Sequence, residues 1–270
     1  MIIGSIPENK DLEKRISLVP DIIKKYTNLG LEVNIVKGYG DHLGFNDNTF
    51  KNAGAKILLS KEEVIKNSNI LIQLDMINEN DFSILSKDKI LIGSMNYSKN
   101  KDKIEKLKSN GVNIFSLELL PRITRAQSMD ILSSQANLAG YKAVIEAFAF
   151  FEKAIPMMMT AAGTVPAAKV LVVGAGVAGL QAVATAKRMG AVVFATDVRM
   201  ASKEQVESLG GKFLTVEGSE NLETEGGYAK EASEEFKKKQ EELLSETLKK
   251  IDIVICTALI PGKKAPIILK

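Results

Sequence analysis

The fold is decided by the stretch KVLVVGAGVAGLQAVATAKRMGAVVFATD, residues 169–197. It begins with the β-branched run Lys169–Val173 and continues with Gly174, Gly176 and Gly179. This spacing is typical of the turn that joins a strand to a helix in a dinucleotide-binding domain. The first glycine makes the tight turn, the second lets the backbone approach a pyrophosphate, and the third lets the helix pack on the strand. The stretch therefore predicts a strand, a glycine turn, a helix and a second strand.

Asp197 closes the second apolar run, close to the offset of about twenty residues expected of an acid that binds a ribose. Its carboxylate can accept hydrogen bonds from both hydroxyls of an adenosine ribose and would repel a 2′-phosphate. NAD is therefore favoured over NADP. Arg199, two residues later, leaves open the alternative that a phosphate binds here.

Composition indicates a globular protein and disfavours nucleic-acid-binding, disulfide-bonded and membrane-spanning proteins. The chain has 270 residues, 45% of them apolar, and a net charge of +3, so we expect one large or two ordinary domains and no basic face for nucleic acid. The single cysteine, Cys256, excludes an internal disulfide, and its apolar surroundings predict a buried thiol in a reducing compartment. No signal peptide and no apolar run of membrane-spanning length is found, so we expect this chain to be soluble.

The predicted fold class is α/β, with two Rossmann-like doubly wound domains joined by a long helix and NAD in the cleft between them. The predicted segments are an N-terminal domain over 1–125, a linking helix over 126–155 ended by Pro156, and the dinucleotide domain over 156–270. The strands predicted for the first domain are Ile2–Ile6, Glu32–Val36, Lys56–Leu58, Ile70–Leu74, Lys89–Ile92 and Val112–Phe115. Pro20 is expected to begin a helix that runs to Gly30, and Ser60 with Glu63 has the form of a capping box.

The second domain has four predicted strands, Val170–Val173, Val192–Thr196, Lys212–Thr215 and Ile251–Cys256. A complete dinucleotide fold has about six, so we expect that the domain is truncated or that another polypeptide completes it. Residues Val216–Tyr228 are predicted to form a mobile loop, residues 230–250 a solvated helix, and the run Met157–Met159 a portion of the core.

One group of polar residues and two single residues are considered for chemistry. Arg122, Arg125, Gln127, Asp130 and Ser133 crowd the start of the predicted linking helix, and helix capping by Asp130 or Ser128 explains only one or two of them. Arg15 lies in a charged stretch that either is a solvated loop or lines a cleft. The sole histidine, His42, lies in a loop rich in glycine and aspartate, where a structural role is the commoner case, and no metal-ligand cluster is found.

The scarcity of proton acceptors bears on the reaction. Oxidation of an alcohol or amino acid by NAD releases a proton, and dehydrogenases commonly place a His or Lys to accept it. Hydride exchange between two nicotinamides moves no such proton and needs only positioning. A cleft of Arg, Gln, Asp and Ser fits the second reaction better.

Five runs of the sequence resemble the NAD(H)-binding domain of the proton-translocating NAD(P) transhydrogenases, the alpha subunit in bacteria. They are RISLVP, PRITRAQSMDILSSQANLAGYKAV, PMMMTAAGTVPAAKVLVVGAGVAGLQAVATAKRMGA, GGYAKE and CTALIPG. Alanine dehydrogenases share the fold and carry a substrate-binding Lys and a catalytic His, where this sequence has Gln73 and roughly Asn96. The resemblance implies direct hydride transfer from NADH to NADP⁺ held by a partner domain, driven by proton movement through a separate membrane domain. The open alternatives are an amino-acid dehydrogenase of the alanine dehydrogenase type and a non-catalytic NAD-binding module.

The resemblance also implies roles for individual residues. Arg122 would contact the pyrophosphate or ribose, Gln127 would bridge toward the second nucleotide, and Asp130 and Ser133 would hold the carboxamide. The remaining nucleotide contacts would come from Gly174, Gly176, Val177, Gly179, Asp197, Val198, Tyr228, Ala258 and Leu259. Arg15 matches the arginine that binds the substrate carboxylate in alanine dehydrogenases. The resemblance further implies a homodimer. It would lie peripherally at the cytoplasmic face of the bacterial inner membrane, bound to membrane-spanning and NADP(H)-binding domains or a beta subunit.

Overall fold

The computed structural model describes residues 1–121, 123–216, 233–259 and 264–269. The chain divides into a first unit, Met1–Asp130, and a second unit, Ile131–Lys270. Both are α/β with parallel sheets, as predicted. Arg122 and Tyr228 lie outside the described residues, and so does the predicted mobile loop from residue 217 onward.

The first unit is built on a six-stranded parallel sheet. Its strands are β1 (Ile2–Ser5), β2 (Glu32–Val36), β3 (Ala55–Leu58), β4 (Ile70–Ile72), β5 (Ile90–Gly93) and β6 (Asn113–Ser116). The order across the sheet is β3-β2-β1-β4-β5-β6. All six predicted strands are confirmed, with ends that differ by at most two residues. The direction of strand addition reverses between β1 and β4, and in such sheets this switch point is where ligands bind.

Four helices cover this sheet, α1 (Pro20–Asn28), α2 (Asp47–Asn52), α3 (Lys61–Asn67) and α4 (Lys101–Ser109). Proline at the first turn of α1 confirms the predicted start, because proline needs no hydrogen-bond acceptor there. The Ser60 side chain accepts from Glu63 N at 3.2 Å and caps α3. The Glu63 carboxylate accepts from Leu59 N at 3.1 Å, one residue earlier than in the usual capping box.

The second unit begins with α5 (Ile131–Phe150), continues through a hairpin of β7 (Met158–Thr160) and β8 (Gly163–Val165), and then forms its sheet. The elements of that sheet are β9 (Lys169–Val173), α6 (Val177–Arg188), β10 (Val192–Thr196), α7 (Ser202–Ser208), β11 (Lys212–Phe213), α8 (Glu234–Leu248) and β12 (Ile253–Cys256). The order β11-β10-β9-β12 is parallel throughout, and its switch point lies between β9 and β12. The four predicted strands are confirmed, although β11 is shorter than predicted.

Helix α5 is shorter at both ends than the predicted linking segment 126–155. Residues Thr124–Met129 form a 3₁₀ helix, and the ψ of 89° at Asp130 separates it from α5. The prediction that Pro156 ends the helix was wrong. The carbonyl of Ile155 already accepts a hydrogen bond from Ala168 N at 2.9 Å, so the chain has left the helical path before the proline.

Helix α5 packs very closely on α6. Gly140 is buried in this contact, and a Cβ added to it would collide with the carbonyl oxygen of Ala178 in the first turn of α6. The buried face of α5 also contributes Val144 and Phe148 to the core that β9, β10 and α6 share. The packing of the second unit therefore includes the helix that precedes its sheet.

Two predictions about burial were wrong. Met157 and Met159 are 60% and 75% exposed, because the methionines lie on and beside the two-stranded hairpin rather than in a sheet core. Cys256 is exposed at the end of β12, although enough protein surrounds the thiol for burial to raise its pKa. Within the described ranges, no helix combines the length and the apolar character that a membrane span requires.

Candidate functional site

The glycine turn after β9 has three glycines in three different environments. Gly174 has a φ of +95°, which strongly favours glycine, and a Cβ on it would lie 2.8 Å from Ala258 N. A Cβ on Gly179 would collide with the carbonyl oxygen of Gly174, so this glycine lets α6 pack on the turn. At Gly176, the nearest atom to an added Cβ is Arg199 Nη2 at 3.8 Å, so this face of the turn is open.

Helix α6 begins at Val177, directly after the open glycine. The amides of its first turn have no intrahelical acceptor, and the helix dipole adds partial positive charge at this end. No acidic residue lies in that first turn, whereas Lys187 and Arg188 lie in the last. A helix N-terminus of this kind is suited to an anionic group.

Asp197 follows β10 and joins the turn through a hydrogen bond. Its Oδ2 accepts from Ala175 N at 2.7 Å. Arg199 binds the same carboxylate, with Nε 2.9 Å from Oδ1 and Nη2 2.9 Å from Oδ2. The acid predicted to bind a ribose thus lies beside the glycine turn, and it is already engaged by an arginine. The next residue, Val198, is half-buried.

The opposite side of the turn is closed by residues after β12. Thr257 donates its hydroxyl to Gly174 O at 2.6 Å, and its amide donates to Val173 O at 2.8 Å. Ala258 is half-buried against Gly174, and Leu259 is exposed. Sequence reasoning missed Thr257, although a hydroxyl residue directly after the last strand was a usable signal.

The polar group before α5 is divided between the two units. Gln127 lies exposed in the 3₁₀ turn of the first unit, and Asp130 N donates to Gln127 O at 3.2 Å. Ser133 lies in the first turn of α5, in the second unit, where it is half-buried. Their predicted role at a nicotinamide stays a prediction.

The switch point of the first unit is occupied by a side-chain amide. Gln73, 3% exposed, follows β4 and pairs with the backbone of Ile6 after β1. Its Oε1 accepts from Ile6 N at 2.9 Å, and its Nε2 donates to Ile6 O at 3.1 Å. The Ser5 hydroxyl also donates to Gln73 Oε1 at 3.1 Å and lies 2.8 Å from the hydroxyl of Tyr39. The amide thus bridges the gap in which a ligand would otherwise lie.

Glu8 is a titratable group at this bridged crevice. Its Oε1 accepts from Leu74 N at 2.6 Å and from Gln73 Nε2 at 3.2 Å. Burial raises the pKa of Glu8 to about 7, and the nearby Asp75 and Glu13 carboxylates act in the same direction. The backbone hydrogen bond from Leu74 opposes this rise in pKa.

The other residues weighed for chemistry in the first unit are engaged elsewhere. Arg15 donates through Nε to Glu13 Oε1 at 2.9 Å, and this pairing lowers the pKa of Glu13. The His42 ring lies exposed, with Nε2 2.8 Å from Lys14 O. Asn96 is exposed in a turn with a φ of 48°. Among the described residues, no group of three or more His, Cys, Asp or Glu could hold a metal ion.

Comparison with known proteins gives a consistent result over the whole chain. The family described as alanine dehydrogenase/PNT, N-terminal domain, matches residues 4–139, and its C-terminal domain matches residues 143–270. A curated relative, the first of the alpha-subunit polypeptides of the NAD(P) transhydrogenase of Rhodospirillum rubrum, is 49% identical over 269 residues, which cover 97% of this chain and 70% of that protein.

A solved structure and a more distant relative agree with this. The transhydrogenase of Sinorhizobium meliloti superposes with a TM-score of 0.84 at 42% identity, covering 98% of this chain and 72% of that one. The alanine dehydrogenase of Mycolicibacterium smegmatis is 27% identical over 269 residues, covering 98% of this chain and 67% of that protein. Since the family's two domains together match nearly every residue, the chain belongs to the alanine dehydrogenase/PNT family.

Proposed function

We propose that this chain is the NAD(H)-binding component of a proton-translocating transhydrogenase. The bound nucleotide supplies a hydride that passes directly to NADP⁺ on a partner domain, and proton movement through a membrane domain drives the reaction. The family is one of oxidoreductases that use nicotinamide nucleotides, and the relatives from Rhodospirillum rubrum and Sinorhizobium meliloti, at 49% and 42% identity, are transhydrogenases. The chain would act only when assembled with those partners, at the cytoplasmic face of the bacterial inner membrane.

The observation that carries the proposal is the amide bridge at the switch point of the first unit. An alanine dehydrogenase is expected to have a lysine there, whereas this chain has Gln73, a neutral group whose oxygen and nitrogen both bind Ile6. The sole histidine, His42, is exposed and lies within hydrogen-bond distance of a backbone carbonyl. Hydride exchange between nicotinamides needs positioning and no proton acceptor at this place.

The residues of the second unit would hold the nucleotide. The open face at Gly176 and the first turn of α6 would receive the pyrophosphate, with Val177 beside it. Asp197 would accept hydrogen bonds from the adenosine ribose, and its negative charge favours NAD(H) over NADP(H). Arg122, Gln127, Asp130 and Ser133 would hold the nicotinamide end, and Tyr228 would close over the nucleotide.

A homodimer belongs to the proposal, and the exposed apolar residues near the start of the second unit support it. They are Leu138, Tyr141 and Phe150 on α5 and Met157, Met158, Met159 and Val165 on or beside the hairpin. Hairpin strands that present unpaired edges and exposed methionines are suited to pairing with a second copy. Sedimentation of the purified chain would measure its oligomeric state, and a monomer at micromolar concentration would contradict the dimer.

A reconstituted assay tests the reaction. The chain is mixed with NADH, an acetyl-pyridine analogue of NAD⁺, NADP⁺ and a purified NADP(H)-binding domain. NADP⁺ accepts the hydride from NADH and passes it to the analogue, whose reduction is followed by absorbance. We expect hydride exchange that requires both proteins. In a parallel reaction, pyruvate with ammonia should leave NADH unconsumed.

The same assay separates the alternatives. Glu8 keeps the alanine dehydrogenase alternative open, because it is a carboxyl group with a raised pKa at the switch point. Consumption of NADH with pyruvate and ammonia, abolished in Glu8→Gln, would establish that alternative. Binding of NADH with neither reaction would instead indicate a non-catalytic module.

The polar group before α5 is tested by Asp130→Asn. If Asp130 positions the nicotinamide, hydride transfer should slow markedly while the Kd for NADH changes by less than about tenfold, or about 1.4 kcal/mol. Fluorescence titration gives the Kd and single-turnover kinetics gives the rate. Equal losses in both would make Asp130 a binding residue only.

A further inference from the structure

A groove on the second sheet has an apolar floor. The floor consists of Phe194 from the middle of β10, Leu214 directly after β11 and Ile251 shortly before β12. These side chains are half-buried, because they pack on one side against the core around Leu171 and Leu244. The groove has a volume of about 260 Å³. Since a cavity of about 150 Å³ holds a benzene molecule, the groove has room for one ring with a small substituent.

The strand order brings three lysines to this groove. Lys169 is the first residue of β9, Lys212 is the first residue of β11, and Lys250 lies three residues before β12. Because the strands are parallel, their amino ends meet at one edge of the sheet. Lys169 and Lys250 line the groove, and Lys212 Nζ lies 5.8 Å from the centroid of the Phe194 ring. The groove is therefore at the amino edge, and the glycine turn after β9 is at the carboxyl edge.

The wall of the groove carries a positive charge that is not balanced locally. Within the described ranges, the ammonium groups of Lys169 and Lys250 make no ion pair. Glu246 is an acidic residue of the wall, but its Oε1 lies 2.5 Å from Lys249 Nζ and is thus already paired. Asp252, beside the groove, accepts from Lys169 N at 2.9 Å and offsets one lysine charge. The remaining field favours an anionic ligand.

The dimensions of the groove favour a small molecule over a polypeptide. The edge strand on this side, β11, has only two residues, so an added strand would find few backbone partners. A docked helix would need room for several side chains at helical spacing. The volume suits a single ring, and an aromatic ring can pack on the Phe194 side chain.

We propose that this groove, the amino-edge groove, is a binding site for a small aromatic carboxylate. The ring would lie on Phe194, Leu214 and Ile251, and the carboxylate would lie between the ammonium groups of Lys169 and Lys250. The five residues of β9 separate this site from the glycine turn by about 16 Å. The carboxylate and a nucleotide would therefore bind without competing, and the site does not depend on the proposed function.

The test compares two probes of the same shape and opposite charge by ¹⁹F NMR on the full chain. We expect 4-(trifluoromethyl)benzoate to bind at least about tenfold more tightly than 4-(trifluoromethyl)benzylamine. Equal binding of the two probes would overturn the proposal. Displacement of the benzoate by an equal concentration of acetate would overturn it as well, because the ring would then be unnecessary. Displacement by NADH would place the benzoate in the nucleotide site, with the same consequence.

A double variant tests the lysines of the wall. Lys169→Gln/Lys250→Gln should weaken benzoate binding by about tenfold. The matched control is Lys56→Gln/Lys203→Gln, which removes two exposed lysines outside the groove and should leave benzoate binding unchanged. Equal losses in both variants would reduce the effect to net charge and contradict the site. If the double variant does not fold, Lys250→Gln decides alone, and unchanged binding overturns the proposal.

Other occupants of the groove would give different results. A short peptide with an internal phenylalanine next to a glutamate should bind no more tightly than the benzoate. Tighter binding of the peptide would assign the groove to a partner polypeptide. A sedimentation coefficient that falls in Lys169→Gln/Lys250→Gln but not in the control would assign the groove to a second copy of this chain. Either result would overturn the proposal.

Discussion

At the carboxyl edge of the first sheet, the gap between β1 and β4 is bridged by Gln73, which pairs with both backbone groups of Ile6. At the same topological place in the second sheet, β9 is followed by Gly174 and β12 is followed by Thr257 and Ala258. Gly174 and Ala258 approach closely, and the face at Gly176 is open. The two sheets share the strand order 3-2-1-4 within their first four strands. The fold alone therefore does not make a ligand site, because the residues that follow each strand decide whether the switch point is bridged or open.

The largest expected effect is at the open switch point. Gly174→Val would place a β-branched side chain at a φ of +95° and against Ala258 N, so the turn should distort. We expect the Kd for NADH to rise by about 100-fold, or about 2.7 kcal/mol, measured by fluorescence titration. Gly44→Val is the control, because its φ of +80° is equally strained but no atom lies within 4 Å of an added Cβ. Equal loss of NADH binding in both variants would contradict a local role.

The second prediction concerns the bridged switch point. Gln73→Ala would leave the buried amide and carbonyl of Ile6 without their partner. We expect the free energy of unfolding to fall by about 2 kcal/mol, with the Kd for NADH unchanged. Urea denaturation gives the first quantity, and Gln205→Ala on the exposed surface of α7 is the control. A weaker affinity for NADH without loss of stability would show that the first crevice contributes to binding.

The third prediction is a pH dependence confined to the first unit. Because the pKa of Glu8 is raised from 4.5 to about 7, the folded chain binds more protons than the unfolded chain between these values. Stability from protonated Glu8 is therefore full below pH 4.5 and is lost as the pH rises through 7, by about 1 to 2 kcal/mol after allowance for solvent screening.

Glu8→Gln should remove this slope when urea denaturation is repeated between pH 4.5 and 8. Glu13→Gln serves as the control, because the pKa of Glu13 is lowered and its contribution is lost at more acidic pH. A slope that persists in Glu8→Gln would assign the pH dependence to another group.

The smallest effect is expected at the closing side of the glycine turn. Thr257→Val removes the hydroxyl that donates to Gly174 O while keeping the shape of the side chain. The Kd for NADH should rise about fivefold, or about 1 kcal/mol, since the turn keeps its backbone contacts. Ser208→Ala, which removes an exposed hydroxyl bonded to Gln205 O, should leave the Kd unchanged. An equal rise in both would exclude a specific contribution from Thr257.

The strands could be predicted well because each is a short apolar run followed by loop residues. Strands of a parallel sheet are buried on both faces, and such runs are their typical pattern. The sequence also predicted the glycine turn, because the spacing of its three glycines is local in the chain. The amide bridge at Gln73 could not be predicted in this way. Its partner, Ile6, is 67 residues away, and only the strand order brings the two together.

Two errors have different physical origins. The burial of Cys256 was predicted from the average hydrophobicity of its surroundings. Side chains alternate between the two faces of β12, however, and with Ile253 and Ile255 buried the thiol of Cys256 faces outward. The methionines at 157–159 carried no such signal, because an apolar run on a hairpin has the same composition as one in a core. The ion pair between Arg199 and Asp197 was not predicted. Arg199 was considered only as an alternative site for a phosphate, since a separation of two residues does not predict which carboxylate an arginine binds.

The close contact at Gly140 fixes the position of α5 along α6 as well as the packing between the two helices. If α5 slid along α6 by one turn, Ala136 or Val144 would take the place of Gly140, and neither side chain could pass the Ala178 carbonyl. The contact therefore permits a single register. Ser133 lies seven residues before Gly140, about 10 Å along the helix axis. The absence of a side chain at Gly140 thus fixes the distance between Ser133 and the N-terminus of α6, which would receive the phosphates.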